Sequence, residues 1–134
     1  MFEQILHNLK TGQPAAAAQY SPLTLAYIGD CVFELYVRTL LIADGNAPVE
    51  KLHKRAIGYV NARAQAEFAR RIMDKLTEEE AAVYKRGRNA KSMPPKNAEM
   101  SDYKAATGLE AALGYLYIKG NTARLAELLG YIEP

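Results

Sequence analysis

Apolar residues recur along this chain at helical spacing, and no stretch alternates convincingly as a strand. Phe2, Ile5, Leu6 and Leu9 mark a short first helix, and the run TGQPAAAAQYSP that follows reads as a connection. Ser21 and Pro22 then supply a cap and a first-turn proline for the stretch PLTLAYIGDCVFELYVRTLLIA, which Asp44, Gly45 and Asn46 stop. This helix, Pro22 to Ala43, is apolar on every side, a pattern that belongs in a core or a subunit interface. With Asp30 set at zero and ~100° per residue, Leu23, Ala26, Tyr27, Phe33, Glu34 and Val37 share its face. Leu25, Ile28, Val32, Leu35 and Thr39 cover the opposite side. A desolvated Asp30 would need a partner or a cation.

Pro48 to about Leu76 carries one long helical pattern or two in series, weakest around Gly58 and Asn61. Thr77 and Glu80 form a capping box for a helix from Glu78 to roughly Lys85 or beyond. Lys85 to Asn97, KRGRNAKSMPPKN, reads as a basic loop. Ser101 is the expected cap of a second mostly apolar helix ending at Gly120, whose sole charge between Ala105 and Ile118 is Glu110. Thr122 is the expected cap of a terminal helix. The prolines fall at the proposed boundaries or the terminus, so the expectation is an all-α protein, one domain over residues 1–134.

Composition adds little to that picture, since 49% hydrophobic and 24% charged residues are ordinary for a globular chain of 134 residues. No charge-free apolar run approaches the ~18 residues of a membrane span, and the N-terminus lacks the pattern of a secretory signal. The single cysteine, Cys31, cannot build a disulfide framework and reads as a small core residue. Cytoplasmic residence is the expectation. The charge distribution says more than the net +2: Lys51 to Lys96 holds 12 basic residues against five acids. Such a lopsided segment suits a polyanion, although solvated helix faces would give the same count.

Two apolar helices, each with a central acid, suggest that Asp30 and Glu110 face each other around a hard divalent cation, magnesium or manganese. Glu34 and Thr107 share their helical sectors and are candidates for orienting water or the primary acids. Two simpler readings stay open: Asp30 could cap a helix beginning near Gly29, and Glu110 could pair with Lys104 or an arginine. His7 and His53 stand without zinc-site spacing, and no nucleophile elbow, phosphate-binding glycine loop or dinucleotide fingerprint is present.

LAYIGDCVFELYV resembles the signature helix of ribonuclease III catalytic domains, and TGLEAALGYLYI resembles their second acidic helix. LHKRAIGYVNARAQAEFARRI and KRGRNAKSMPPKN extend the likeness to the Mini-ribonuclease III branch, made of the catalytic domain alone, so that it covers essentially Ser21 to Gly120. The resemblance implies an all-helical homodimer that hydrolyses double-stranded RNA with magnesium, leaving 5′-phosphate and 3′-hydroxyl ends. It assigns the catalytic, metal-binding acids to Asp30 and Glu110. Larger relatives carry further acids where this chain has Ala26 and Thr107, which leaves the number of metal ions open; the small branch looks the same at both positions.

The basic stretch supplies what the acids repel: Lys85, Arg86, Arg88, Lys91 and Lys96 can contact phosphates and Asn89 a 2′-hydroxyl or base edge, with Lys54, Arg55 and Arg63 as secondary contacts. The chain is too short to add a separate double-stranded-RNA-binding domain, so binding would rest on the dimer. Precursor large-subunit ribosomal RNA is the implied substrate, with a ribosomal protein as a candidate partner that presents it. From a different class, a non-catalytic dimeric module for RNA binding or ribosome assembly would use the same basic surface. A nucleotide hydrolase using carboxylate-bound magnesium would need acid or His-Asp motifs that are missing here.

Overall fold

The computed structural model describes residues 1–9 and 16–132, and among these every regular element is helical. The helices are α1 (Phe2–Leu9), α2 (Pro22–Ala43), α3 (Val49–Val60), α4 (Ala62–Ile72), α5 (Glu78–Asn89), α6 (Met100–Lys119) and α7 (Thr122–Leu129), with single 3-10 turns at Ala17–Gln19 and Met73–Lys75. The first part of the expected connection after α1, residues 11–15, lies outside the described residues. No helix is long and apolar enough to cross a membrane among the described residues.

Local chemistry accounts for most boundaries. The Ser21 hydroxyl accepts from the Thr24 N–H at 3.2 Å, and Pro22 occupies the first turn, where its missing N–H costs nothing. The pattern from Pro48 resolves into two helices because Asn61 adopts an extended conformation, and its side-chain oxygen accepts from the Ala64 N–H at 2.8 Å. The Thr77–Glu80 capping box forms in both directions, at 2.9 and 3.1 Å.

Two expected caps differ. The cap of α6 is Glu99, whose carboxylate accepts from the N–H groups of Ser101 and Asp102; a full negative charge at the helix N-terminus is the stronger complement to its dipole. Ser101 instead accepts a hydrogen bond from Arg70. The cap of α7 is Asn121 rather than Thr122, directly after Gly120 ends α6 in the left-handed region at φ 82°.

The basic segment also starts differently from the expected loop, because Lys85 to Asn89 form the last turn of α5. Gly87 there is a packing residue rather than a loop breaker. A Cβ on it would come 2.8 Å from the Ala111 Cβ and 3.0 Å from the Gly108 Cα, so its bare backbone lets α5 press against α6.

Helix α6 is the axis of the core: from Ala105 to Tyr117 every residue is buried except Glu110, which is partly buried. Helices α2, α4 and α5 pack around it, α3 leans on α2, and α7 closes one end. The α2–α6 pairing is the most extensive and also the tightest. A Cβ built on Gly29 would lie 1.7 Å from the Glu110 carbonyl oxygen, and one on Gly114 would lie 1.9 Å from the Leu25 carbonyl oxygen. The two backbones therefore touch at reciprocal glycines. At the far side of the core the buried Glu80 carboxylate takes two bonds from Arg124, at 2.8 and 2.9 Å. Burial pushes that carboxyl up, but Arg124 and the Thr77 N–H more than offset it and leave its pKa below the usual value.

Only one side of α2 meets this core: Leu25, Ala26, Gly29, Phe33, Val37 and Leu41 are buried. Asp30 lies at the edge of that face and is exposed, and Cys31 is exposed as well rather than a core residue. Both follow from the 100° step, which turns positions 30 and 31 progressively away from the α6 contact centred on Gly29 and Phe33.

Gly29→Ala should disrupt the fold, costing on the order of 4 kcal/mol or more, because its new methyl meets fixed backbone rather than a flexible side chain. Gly58→Ala, in an open stretch of α3 where an added Cβ meets nothing within 4 Å, should stabilise by about 0.4–1 kcal/mol. Urea unfolding midpoints of the two variants against the parent chain measure the contrast.

Candidate active site

Asp30 and Glu110 come together because Gly29, the residue before Asp30, rests on the backbone of Glu110 itself. The glycine contact sets the separation of α2 and α6, and the helical step after it carries the Asp30 carboxylate to the rim, where it interacts with Glu110. This excludes both simpler readings. Helix α2 runs without interruption through Gly29, so Asp30 caps nothing, and the groups acting on Glu110 are Asp30 and Gln65 rather than Lys104.

The burden of desolvation falls on Glu110 and not, as the apolar pattern of α2 suggested, on Asp30. Burial raises the Glu110 pKa to about 8; a hydrogen bond and the negative charge of Asp30 push in the same direction, and Gln65 pulls back. At neutral pH, without a cation, Glu110 therefore holds a proton. A cation placed between the two carboxylates would take that proton's place, since it neutralises the charge that makes ionisation unfavourable. The described residues contain no cluster of three or more His, Cys, Asp or Glu side chains, so the site offers an all-oxygen pair. Two carboxylates with coordinated water fit a magnesium-class ion, which retains several waters in most protein sites.

The two candidate helpers do not join the pair. The Glu34 carboxylate accepts from Arg38 one turn along α2, at 2.8 Å. Thr107 is buried on α6, and its hydroxyl donates to the Tyr103 carbonyl at 2.9 Å, leaving only its lone pairs free for another donor. Ala26 is buried on the core face of α2.

The basic residues separate into two groups. The seat of Gly87 against Thr107, Gly108 and Ala111 lays the last turn of α5 beside the turn of α6 that leads into Glu110. Lys85, Arg86, Arg88 and Asn89 are exposed on that turn, and Lys91 and Lys96 are exposed in the loop beyond it. Arg86 also donates to the Tyr20 carbonyl at 3.4 Å, and Arg88 to the Asn89 side chain at 3.4 Å. Lys54 and Arg55 belong elsewhere: Arg55 pairs with Asp44 at 3.4 Å, which puts this part of α3 at the C-terminal end of α2, about 20 Å along the helix from Asp30. Arg63, on the outer side of α4, pairs with Glu67 at 3.3 Å.

Gln65 was not among the expected site residues. It projects from α4 and is 4% exposed, and its side chain acts on Glu110. The sequence holds a signal for it: Gln65, Phe68, Ala69 and Ile72 form one i, i+3, i+4, i+7 stripe, in which an amide is the odd member.

The raised Glu110 pKa has a measurable consequence in chelator-treated protein. Because the folded state holds a proton that the unfolded state releases near pH 4.5, stability contributed by protonated Glu110 is full below pH 4.5 and is lost as pH rises through about 8. Glu110→Gln should remove that decline and exceed the parent chain by a few kcal/mol at most above pH 8. Urea unfolding from pH 5 to 9 in EDTA reports it, and equal slopes for the two proteins would contradict the assignment.

Comparison with known proteins identifies the family. Residues 23–121 match the Ribonuclease III domain family. The chain is 53% identical over 125 residues to a Mini-ribonuclease 3 of Thermoanaerobacter sp., covering 92% of this chain and 88% of the relative. It is 49% identical over 113 residues to the Mini-ribonuclease 3 of Clostridium tetani, covering 83% of this chain and 75% of the relative. A crystallised protein from Fusobacterium nucleatum superposes with a TM-score of 0.76 at 31% identity, over 84% of this chain and 90% of that one. The matched span takes in nearly all of α2 and the whole of α6, and the chain belongs to the ribonuclease III family, in its Mini-ribonuclease 3 branch of endoribonucleases.

Proposed function

We propose that Asp30 and Glu110 are the catalytic carboxylates of this endoribonuclease and that together they hold magnesium, with manganese as a substitute, to cleave double-stranded RNA into 5′-phosphate and 3′-hydroxyl ends. The observation that carries the reading is the pair itself: two acids from separate helices, brought together by a backbone contact, the more buried of which keeps a proton that a cation would replace. When bound, such an ion lowers the pKa of a coordinated water and offsets charge at the phosphodiester. Asp30 and Glu110 keep the ion and its water at one spot on the rim, with Asp30 open to solvent and to substrate. No side chain forms a covalent bond to RNA in this scheme.

The exposed bases on the last turn of α5 and in the following loop supply phosphate attraction beside the acids. Recognition of A-form RNA would rest on backbone and 2′-hydroxyl contacts across its wide minor groove, with Asn89 as a neutral hydrogen-bonding partner. Lys54 and Arg55, near the C-terminal end of α2, would serve only a duplex that extends across the molecule, and Arg63 on α4 would be a secondary phosphate contact. The substrate we favour is precursor large-subunit ribosomal RNA, presented with the help of a ribosomal protein.

The working unit we propose is a homodimer. Helix α2 turns Leu23, Tyr27, Cys31, Leu35 and Ile42 outward, and Tyr27 is 80% exposed, a large apolar surface for one helix of a monomer. A two-fold contact along this face would cover it and set two active sites on one duplex, one for each strand.

Asp30→Asn should lower cleavage of a long RNA duplex in magnesium by about two to three orders of magnitude or more while leaving RNA binding in place. Full cleavage by this variant would remove the metal assignment; no cleavage by the parent chain with any divalent cation would favour a binding module. Replacing Arg88 and Lys91 together with Ala should weaken duplex binding and reduce the slope of log affinity against log salt by roughly two. An unchanged slope in filter-binding measurements would return these side chains to ordinary solvated surface.

A further inference from the structure

Among the buried polar groups of the described residues, Gln65 is the one without an explanation in packing. It is 4% exposed on the apolar stripe of α4, between the helix and α6, and its Nε2 makes no hydrogen bond among the described residues. Leaving a buried amide donor unpaired costs about 1–3 kcal/mol, which an apolar residue of the same size would not incur. The other buried polar side chains have partners: Glu80 holds Arg124, and Thr107 donates to Tyr103. Gln65 nevertheless lies close enough to act on the carboxyl of Glu110.

We propose that Gln65 is the positioning residue of the active site, its Nε2–H donating to one oxygen of Glu110 so that the other oxygen is held toward Asp30. This inference rests on the reading of Asp30 and Glu110 as the cation-holding pair. A carboxylate on a helix retains rotation about its terminal bonds, and a cation held by only two acids gains most when neither has to be ordered on binding. Gly29 of α2 fixes the backbone of Glu110 and Gln65 of α4 acts on its carboxyl, so an amide on α4 is placed to fix the rotation that the backbone contact leaves free. An amide serves this role better than an acid or a base: it donates without adding a negative charge to a repulsive pair and without neutralising a ligand. The orphan donor is thus a local defect of folding that becomes satisfied when the site is assembled.

Isothermal titration with manganese chloride, run on the parent chain, Gln65→Met and Asp30→Asn, tests the inference. Methionine keeps the volume and flexibility of the side chain and removes the donor. The expected result for Gln65→Met is manganese affinity lower by about 10–100-fold, an unfolding midpoint in chelator equal to or above the parent's, and cleavage with kcat reduced and KM nearly unchanged. Gln65→Glu, of the same shape but unable to donate when ionised, should lose affinity at least as strongly. Parent-like manganese affinity in both Gln65 variants, with affinity lost in Asp30→Asn, would overturn the role of Gln65 and leave the carboxylate pair standing. Parent-like affinity in Asp30→Asn as well would overturn the pair. A Gln65→Met protein that is destabilised yet binds manganese normally would show a packing role only and would equally overturn the inference.

Discussion

The contact on which this molecule depends is the meeting of two helix backbones. Side chains ordinarily keep packed helices 8–10 Å apart. At Gly29 and Gly114 that spacer is absent, and the carbonyl of each helix occupies space where the other would carry a methyl group. Such a contact has no compliance: backbone atoms cannot change rotamer to make room. Its stiffness is what a site of two acids requires, because the cost of ionising Glu110 beside Asp30 would otherwise be relieved by the helices drifting apart when the proton leaves. Core packing of α6 against α2, α4 and α5 supplies the force that holds the acids at close range.

The consequence is a protein with its electrostatic tension concentrated in one residue. Asp30 remains in water, while Glu110 takes the desolvation and carries its pKa up to about 8. At the opposite end of the core, Glu80 exposes even less of its surface and yet has a lowered pKa, because Arg124 and the capping box hold its carboxylate. The comparison separates a structural buried acid, matched by a cation of the chain itself, from one left unmatched. Incomplete satisfaction at Glu110 and at the Gln65 amide coincides in space, as expected where binding rather than folding determines the residues.

Much of this was legible in the chain before any coordinates. An acid in an otherwise apolar helix stands out by contrast, so Asp30 and Glu110 could be paired from pattern alone, and local rules located the start of α2 and the Thr77–Glu80 box. What escaped depends on neighbours in space. Which of the two acids would be desolvated turns on a 100° step past Gly29, and that reference point exists only once α6 is in place. Gly87 has the composition of a loop breaker, yet its value lies in what it lets α5 approach. Glu99 outcompetes Ser101 as a cap by reaching two N–H groups with a longer, charged side chain. Gln65 was visible as a polar residue on an apolar stripe, but only its unpaired donor beside Glu110 gives that irregularity meaning.

The glycine contact also bears on how such a chain can change over generations. Inserting or deleting one residue in α2 on either side of Gly29 would rotate all that lies beyond it by ~100°, separating Asp30 from the glycine seat or turning the apolar stripe that contains Tyr27 and Leu35 away from its present direction. Substitutions can accumulate along α2, but length variation cannot, since one rigid rod carries the seat, the acid and the outward stripe in a single phase. The loop from Ala90 to Glu99 has no such phase to keep, because it leaves α5 after the Gly87 contact and re-enters at the Glu99 cap. Drift in length, and with it any divergence in how the RNA backbone is gripped, is therefore channelled into the basic loop while the distance between the two acids is inherited unchanged.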